Sequence, residues 1–305
     1  MIKEKIYVWA SDYSNFTGEG NLGRLFINLK LKKKYSINIC RFKTHNYIGN
    51  KILGHKYILP IIGIINCWKY FLLRKKVCYL NYLPLWNFLI FLFLPPKTIL
   101  GPITGGSYFK KEFSSNYFIR KFIFPIFFIL GSFILFLRKF DTIFSTKLLK
   151  KYLNKKLQKR SEFNFVLKAL DLRKKKKNKK NLQFLIYYKK HKNKSNLYPF
   201  KLIESLVDIK LKVLVVGDHL KIPNVKNLGY LNKKNLNKIL IKSKYAILSN
   251  ENIFSFFAIE CLNSNMKLIT TNKISQIEKR IRERFIYLNP QKTKKLIIKD
   301  FLKKL

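Results

Sequence analysis

The residues best suited to chemistry lie in the segment 249–260, directly after the apolar run 245–248. The pattern predicts a buried strand, a polar loop, and a helix that begins at Ser255 and carries Glu260 in its second turn. A helix start offers free backbone N–H groups and a positive dipole end to a phosphate, and the carboxylate could bind a sugar hydroxyl. The alternative is that Ser255 caps a core helix and Glu260 is solvated.

This segment resembles the donor-site signature of retaining glycosyltransferases of the GT-B architecture, family-four type. There, a Ser-x-x-Glu-Gly-Phe-Gly loop is followed by a second Glu eight positions after the first. Glu260 matches the second Glu, and Phe254 and Ser255 match the Phe-Gly pair. Asn252 takes the first Glu position, with Glu251 beside it, which is a departure from the family pattern. The resemblance implies that Glu260 binds the nucleotide ribose, and that Glu251 or Asn252 contacts the transferred sugar in a catalytic role.

The same family has an Arg after a strand and a Lys five residues later, and these two side chains clamp the donor diphosphate. Lys189 and Lys194 occupy those positions after the predicted strand 182–188. Lysine lacks the bidentate fork of arginine, so the resemblance implies a looser phosphate site with a catalytic role for both lysines. The alternative is that they are surface lysines of a lysine-rich protein.

Further donor-binding residues follow from the resemblance. They are Gly20, Gly229, Tyr230 and Phe256, in addition to Phe254, Ser255 and Glu260. Gly229 and Tyr230 would lie against the nucleotide base, and Phe256 would supply the helix start for the diphosphate.

Glycines also follow the first predicted strand, residues 6–10. Gly18, Gly20 and Gly23 satisfy G-x-G-x-x-G, but residues 11–17 intervene, and no acidic residue follows the next strand, so we reject a dinucleotide fingerprint. We expect a glycine-rich loop and then a helix from Arg24 to about Leu31. The resemblance implies an acceptor-side cleft there, and a turn permitted by glycine is the alternative. Its members would be Asp12, Gly18, Glu19, Gly105 and Gly106, the last two from the Gly-Pro-x-x-Gly-Gly stretch 101–106.

Strands and helices alternate at short spacing, which predicts a parallel sheet with ligand at the carboxyl ends of the strands. With the resemblance, this indicates an α/β fold of two facing Rossmann-like domains, the GT-B type. The expected segments are an acceptor-side domain 1–160, a basic linker 161–181, a donor-binding domain 182–285 and a C-terminal helix 286–305. That helix could cross back onto the first domain.

The chain has 305 residues and a formal net charge of +48, with 63 Lys and Arg against 15 Asp and Glu. Such charge suggests nucleic acid or an anionic membrane as partner, and an AT-rich genome is a compositional alternative. The hydrophobic content of 48% indicates a folded chain. The lysine run 173–180 contains no aromatic residue for base stacking, which disfavours nucleic acid and favours a solvated linker.

The most hydrophobic run, residues 122–137, is flanked by basic residues and interrupted by Pro125 and Gly131. It is too short to span a bilayer, so we expect either a core helix or an in-plane element in peripheral contact with an anionic membrane. Scattered cysteines indicate a reducing compartment, and the absence of a signal-peptide pattern places the expected location in the cytoplasm. Few, separated histidines predict no metal site and no cofactor beyond the donor.

The sequence therefore favours a retaining glycosyltransferase that moves a sugar from a nucleotide-sugar donor to a glycan or lipid-linked acceptor in cell-surface polysaccharide or glycolipid assembly. One alternative is a non-catalytic GT-B-like protein that binds a sugar nucleotide or glycan, given Asn252. The other is a basic nucleic-acid-binding protein.

Overall fold

The computed structural model describes residues 3–15, 17–40, 55–105, 118–171, 180–190, 198–249, 255–271, 279–289 and 294–303. These residues form two compact units, the first ending at residue 166 and the second beginning at 167. The boundary falls within the segment predicted as a linker, 161–181. Residues 161–166 belong to the first unit, where Phe165 is buried against the ring of Phe26 at a centroid distance of 6.0 Å.

The first unit is built on a parallel sheet. Its strands are β1 (Glu4–Trp9), β2 (Tyr35–Cys40), β3 (Lys76–Tyr79) and β4 (Ile99–Leu100). Its helices are α1 (Gly18–Phe26), α2 (His55–Leu72), α3 (Phe88–Phe93), α4 (Phe124–Leu137) and α5 (Lys155–Arg160). A π-helical turn, Ile27–Leu31, extends α1, and another, Ile119–Ile123, leads into α4.

The four strands pair in the order β2-β1-β3-β4. Ile6 and Val8 of β1 are fully buried, as expected for a parallel strand covered on both faces. The chain leaves β1 for β2 on one side and returns to β3 on the other. The loops that follow β1 and β3 are therefore neighbours at the carboxyl edge, at the switch point where α/β sheets bind ligands.

The second unit repeats this plan. Its strands are β5 (Asn181–Tyr188), β6 (Lys212–Gly217), β7 (Lys226–Asn227), β8 (Ser243–Ile247), β9 (Lys267–Thr270) and β10 (Phe285–Tyr287). Its helices are α6 (Phe200–Asp208), α7 (Lys233–Lys242), α8 (Phe256–Asn263), α9 (Lys279–Arg282) and α10 (Lys294–Leu302). All strand pairs are parallel, in the order β10-β9-β8-β5-β6-β7, so the switch point lies between β5 and β8.

The predicted α/β class with parallel sheets is confirmed. The C-terminal helix, α10, packs within the second unit. Phe301 is fully buried there, with its ring 5.4 Å from Phe184 and 5.5 Å from Tyr245. Burying a phenylalanine stabilises by about 1.5–3 kcal/mol, which holds this helix on its own sheet.

The first helix starts earlier than the sequence predicts. We expected a glycine-rich loop up to Arg24, but α1 begins at Gly18 because Thr17 caps it. The Thr17 hydroxyl accepts a hydrogen bond from the Gly20 N–H at 3.0 Å. A Cβ at position 20 would lie 2.2 Å from the backbone oxygen of Ser14, so glycine is needed there for close packing of the loop on the helix.

Over the part of the chain that the structure describes, no helix combines the length and the apolar character needed to cross a membrane.

Candidate functional site

Helix α8 begins in the connection after β8, at the carboxyl edge of the second sheet. Ser255 is its N-cap, as predicted, with extended backbone (φ −80°, ψ 162°) and its hydroxyl accepting from the Ala258 N–H at 3.2 Å. The backbone N–H groups of Phe256 and Phe257 have no acceptor within the helix, because no helical carbonyl lies one turn before them. This end of α8 can therefore receive an anion.

Glu260 lies one turn further along α8, also as predicted, and is half-buried. Burial raises the pKa of its carboxyl group, and the charge of Lys233, at the start of α7, opposes that rise. A half-buried carboxylate retains acceptor capacity for a hydroxyl ligand.

Asp218 joins the ends of three strands at the same edge. Its N–H donates to the Tyr188 carbonyl at 2.9 Å. Its carboxylate accepts from the Lys190 N–H and from the Tyr230 hydroxyl, both at 2.7 Å. The hydrogen bond to Asp218 raises the pKa of the Tyr230 phenol. Asp218 is not among the site residues predicted from the sequence, although a Gly-Asp pair at a strand end is a signal that could have indicated it.

Gly217 makes this convergence possible. It has φ +106°, and a Cβ there would lie 2.2 Å from the Tyr188 carbonyl oxygen. Its N–H donates to the Gly229 carbonyl at 2.9 Å, which ties the predicted base-binding loop to the end of β6. Glycine is required at position 217 by both conformation and space.

The end of β5 also approaches α8. The Tyr187 ring lies 5.9 Å from that of Phe257, in the first turn of α8. Lys189, two residues later, donates its backbone N–H to the Tyr198 hydroxyl at 3.0 Å and is exposed. The structure thus brings Lys189, Tyr230 and the start of α8 to one edge of one sheet.

Other predicted residues fall outside the described ranges. These are Gly106, Lys194, Glu251, Asn252 and Phe254.

In the first unit, Asn81 organises the switch point. It is 1% exposed and follows β3, and its Oδ1 accepts from the Ser11 N–H at 3.1 Å and the Ser11 hydroxyl at 2.9 Å. Its amide also donates to the Asp12 carbonyl. The Asp12 carboxylate in turn accepts from the Ser14 N–H at 2.9 Å and from the Thr17 hydroxyl. Asp12 therefore fixes the loop that leads into α1. Asn81 is not among the residues predicted from the sequence.

Glu19, in the first turn of α1, lies beside this network. Its Oε2 atom is shut off from solvent and has no hydrogen-bond partner among the described residues. Burial raises the pKa of its carboxyl group to about 7, a backbone hydrogen bond from Tyr82 lowers it, and the charge of Asp12 raises it further. A carboxyl group that titrates near neutrality can give or take a proton.

The remaining predicted acceptor-side residues lie differently. Gly18 is exposed, and a Cβ there would meet nothing within 4 Å, so neither space nor φ demands glycine. Gly105 has φ +126°, and a Cβ there would lie 3.4 Å from the side chain of Leu149. Across the described ranges, no three His, Cys, Asp or Glu residues group closely enough to hold a metal ion.

Two parallel α/β units, each with polar residues at the switch point of its sheet, define a protein of the GT-B type with two Rossmann-like domains. By sequence, the chain matches no family model and no curated protein. Its likeness to solved structures is one of fold.

WaaG, a glycosyltransferase involved in lipopolysaccharide biosynthesis, matches with a TM-score of 0.57 and 8% identity, over 98% of this chain and 90% of that one. A Listeria monocytogenes protein assigned as a UDP-N-acetylglucosamine 2-epimerase gives 0.54 and 11%, over 99% and 88%. The UDP-GlcNAc 2-epimerase of Neisseria meningitidis, bound to UDP-GlcNAc, gives 0.50 and 10%, over 99% and 91%.

Proposed function

We propose that this protein is a glycosyltransferase that moves a sugar, with retention, from a nucleotide-sugar donor to a glycan or lipid-linked acceptor. The observation that carries the proposal is the start of α8, capped by Ser255 and followed by the half-buried Glu260, at the switch point of the second sheet. Its fold relatives include a glycosyltransferase and an epimerase bound to UDP-GlcNAc. Its setting would be cell-surface polysaccharide or glycolipid assembly on the cytoplasmic side.

The second unit would hold the donor. Lys189, Lys194 and the helix start at Ser255 would bind the diphosphate, Glu260 the ribose, and Tyr230 the nucleotide base. The base would lie over the loop that Asp218 and Gly217 fix in place. Glu251 or Asn252 would contact the transferred sugar.

The reaction breaks the bond between the anomeric carbon and the diphosphate oxygen, and forms a bond from that carbon to an acceptor hydroxyl oxygen. Negative charge develops on the departing diphosphate. The two lysines and the helix-end N–H groups would stabilise that charge in the transition state, which is electrostatic catalysis. The acceptor hydroxyl gives up its proton to an oxygen of the departing diphosphate.

The acceptor would bind the first unit near Asp12 and Glu19. Glu19 would be protonated below about pH 7 and charged above it. Its carboxyl group could therefore hydrogen-bond an acceptor hydroxyl in either state.

The first test is a thermal-shift panel of UDP-, GDP-, ADP-, CMP- and dTDP-sugars, with Glu260→Ala and Lys189→Ala alongside. A ligand at a hundredfold excess over its Kd stabilises a protein by about 2.7 kcal/mol. We expect one nucleotide class to raise Tm, and both variants to lose most of that rise. Glu283→Ala and Lys212→Ala are matched controls, because both residues are exposed and Lys212 begins β6 at the opposite edge.

Absence of any nucleotide shift in the wild type would turn the assignment towards a non-catalytic binding protein. A shift that survives unchanged in Glu260→Ala would remove the ribose role of Glu260 alone.

The epimerase matches favour a second candidate, epimerisation of a nucleotide sugar. Product analysis separates the two candidates. An epimerase converts UDP-GlcNAc to its 2-epimer or releases UDP without an acceptor, whereas a transferase needs an acceptor to consume its donor at full rate.

A further inference from the structure

Helix α2 presents an apolar stripe to solvent. Its exposed members recur at intervals of three and four and so share one face. They are Ile58, Ile61, Ile65, Trp68 and Leu72. The other side packs into the first unit, where Leu59 and Cys67 are buried. Ile65 is 60% exposed and Leu72 is 72% exposed, which is unusual for such large side chains on one helix.

Helix α4 and the turn before it repeat this arrangement. The exposed residues are Phe118, Phe122, Ile126, Ile129, Phe133 and Leu137. The opposite side is buried at Phe128, Gly131 and Leu135. The run 122–137 therefore has two different sides. One side packs into the core, and the other exposes apolar side chains to solvent.

Helix α3 connects the two stripes. The Trp68 indole N–H donates to the Phe93 carbonyl at 2.8 Å, which joins α2 to α3. The Arg138 guanidinium donates to the carbonyls of Phe91 and Leu92 at 2.7 and 2.8 Å, which joins α4 to α3. Leu92 and Phe93 are themselves about half exposed. We call the exposed apolar residues of these three helices the three-helix face.

Basic residues outnumber acidic ones around this face. Between residues 20 and 140 the sequence contains one acidic residue, Glu112, and the exposed Asp141 follows α4. The contacts of Trp68 and Arg138 bring the C-terminal parts of the helices together, and exposed basic residues follow each of them. These are Arg74 and Lys75 after α2, Lys97 after α3 and Lys139 after α4.

We propose that the three-helix face docks the protein on the surface of a bilayer that contains anionic lipid. The apolar stripes would enter the boundary between headgroups and acyl chains, and the basic helix ends would contact lipid phosphates. Helix α4 has 14 residues and α2 has 18, both fewer than the roughly 20 needed to span, so the helices would lie in the plane of the membrane.

Charge selects this occupant over a second copy of the chain. Two copies placed face to face would bring together two surfaces on which basic residues outnumber acidic ones, so the basic clusters would repel each other. An anionic lipid surface supplies the missing negative charge over the whole area. The docking does not depend on sugar transfer, because its residues are separate from those assigned to the donor.

The test is flotation of the full chain with vesicles of phosphatidylcholine, with and without phosphatidylglycerol. The variants are Ile129→Gln with Phe133→Gln on α4, Ile61→Gln with Ile65→Gln on α2, and Lys75→Gln with Lys97→Gln at the helix ends. The control is Leu182→Gln with Leu296→Gln, which replaces leucines of the second unit that are 45% and 46% exposed.

We expect the wild type and the control to float with anionic vesicles. Each apolar pair should weaken partitioning at least tenfold on both vesicle types. The lysine pair should weaken it about thirtyfold on anionic vesicles only, given about 1 kcal/mol per basic residue near the surface.

Three results would overturn the proposal. They are no flotation of the wild type, equal loss of flotation in the control variant, and a wild-type dimer in light scattering that the apolar double variants dissociate.

A second measurement tests whether the face itself enters the lipid. Brominated acyl chains should quench Trp68 emission in the wild type, and Trp68→Phe should abolish most of that quenching. The nucleotide thermal shift of each variant should remain, so failed docking and a failed donor assignment give different results.

Discussion

The protonation of Glu19 depends strongly on the fold. In the unfolded chain its carboxyl has the ordinary pKa of 4.5, whereas burial raises it to about 7 in the folded protein. Between these values the folded state holds a proton that the unfolded state has released, so stability falls as pH rises. The free energy of unfolding falls by about 3 kcal/mol at most over this range. Partial exposure of Glu19 makes this figure an upper limit. Glu19→Gln should remove this loss and flatten the curve of unfolding free energy against pH.

Urea unfolding from about pH 5 to about pH 8 measures that effect. Glu283→Gln provides the exposed comparison. Parallel curves for Glu19→Gln and the wild type would show that the Glu19 carboxyl is solvated, contrary to the structure.

Residues that act locally were predictable, and residues that act across the fold were not. Ser255 and Glu260 could be placed on α8 because capping and helical period depend on near neighbours in sequence. Asn81 and Asp218 act on loops brought to them by sheet pairing, so nothing beside them in the sequence reveals their partners. The functional roles of all these residues stay predictions until ligand binding is measured.

At the scale of elements, the start of α1 shows where local propensity fails. Glycine is a poor helix former, and Gly18, Gly20 and Gly23 therefore indicated a loop. The cap at Thr17 and the close contact of the loop with position 20 outweigh that propensity. A glycine that looks like a loop residue can instead provide space for tertiary packing.

The end of β6 offers a direct test of such a requirement. Gly217→Ala should destabilise the protein by roughly 2–4 kcal/mol, because it adds a clash with the Tyr188 carbonyl to the strain of positive φ. Gly229→Ala is the matched control: φ is +67°, but a Cβ meets nothing within 4 Å, so we expect about 1–2 kcal/mol. Denaturant unfolding gives both values. Equal losses in the two variants would mean that the loop relaxes away from the clash.

The apolar helices of the first unit show a different limit of sequence reading. The run 122–137 is hydrophobic on all sides, so its sequence left burial and membrane contact open. The structure divides it into a buried and an exposed side, because only one side meets the sheet. The sequence does not predict the exposed stripe of α2, because apolar residues spaced three and four apart normally mark the buried face of a helix.

At the scale of the whole molecule, composition predicted a folded chain but not how its charge is balanced. Among the described residues, Lys30 pairs with Glu162 at 2.6 Å and Lys76 pairs with Glu4 at 2.7 Å. Against a formal charge of +48, such pairs neutralise little, so the folded state is dominated by repulsion between lysines. Unfolding separates these charges and relieves part of that repulsion.

Screening should therefore stabilise this protein. Raising sodium chloride from about 0.02 to about 0.2 M shortens the Debye length below most spacings between surface charges. We expect Tm to rise by several degrees, because each kcal/mol corresponds to roughly 2–4 °C for domains of 150–250 residues. Choline chloride should act equally, since screening depends on ionic strength rather than on the cation. A Tm that falls with salt would show that attraction between opposite charges outweighs repulsion between lysines in the folded state, contrary to this expectation.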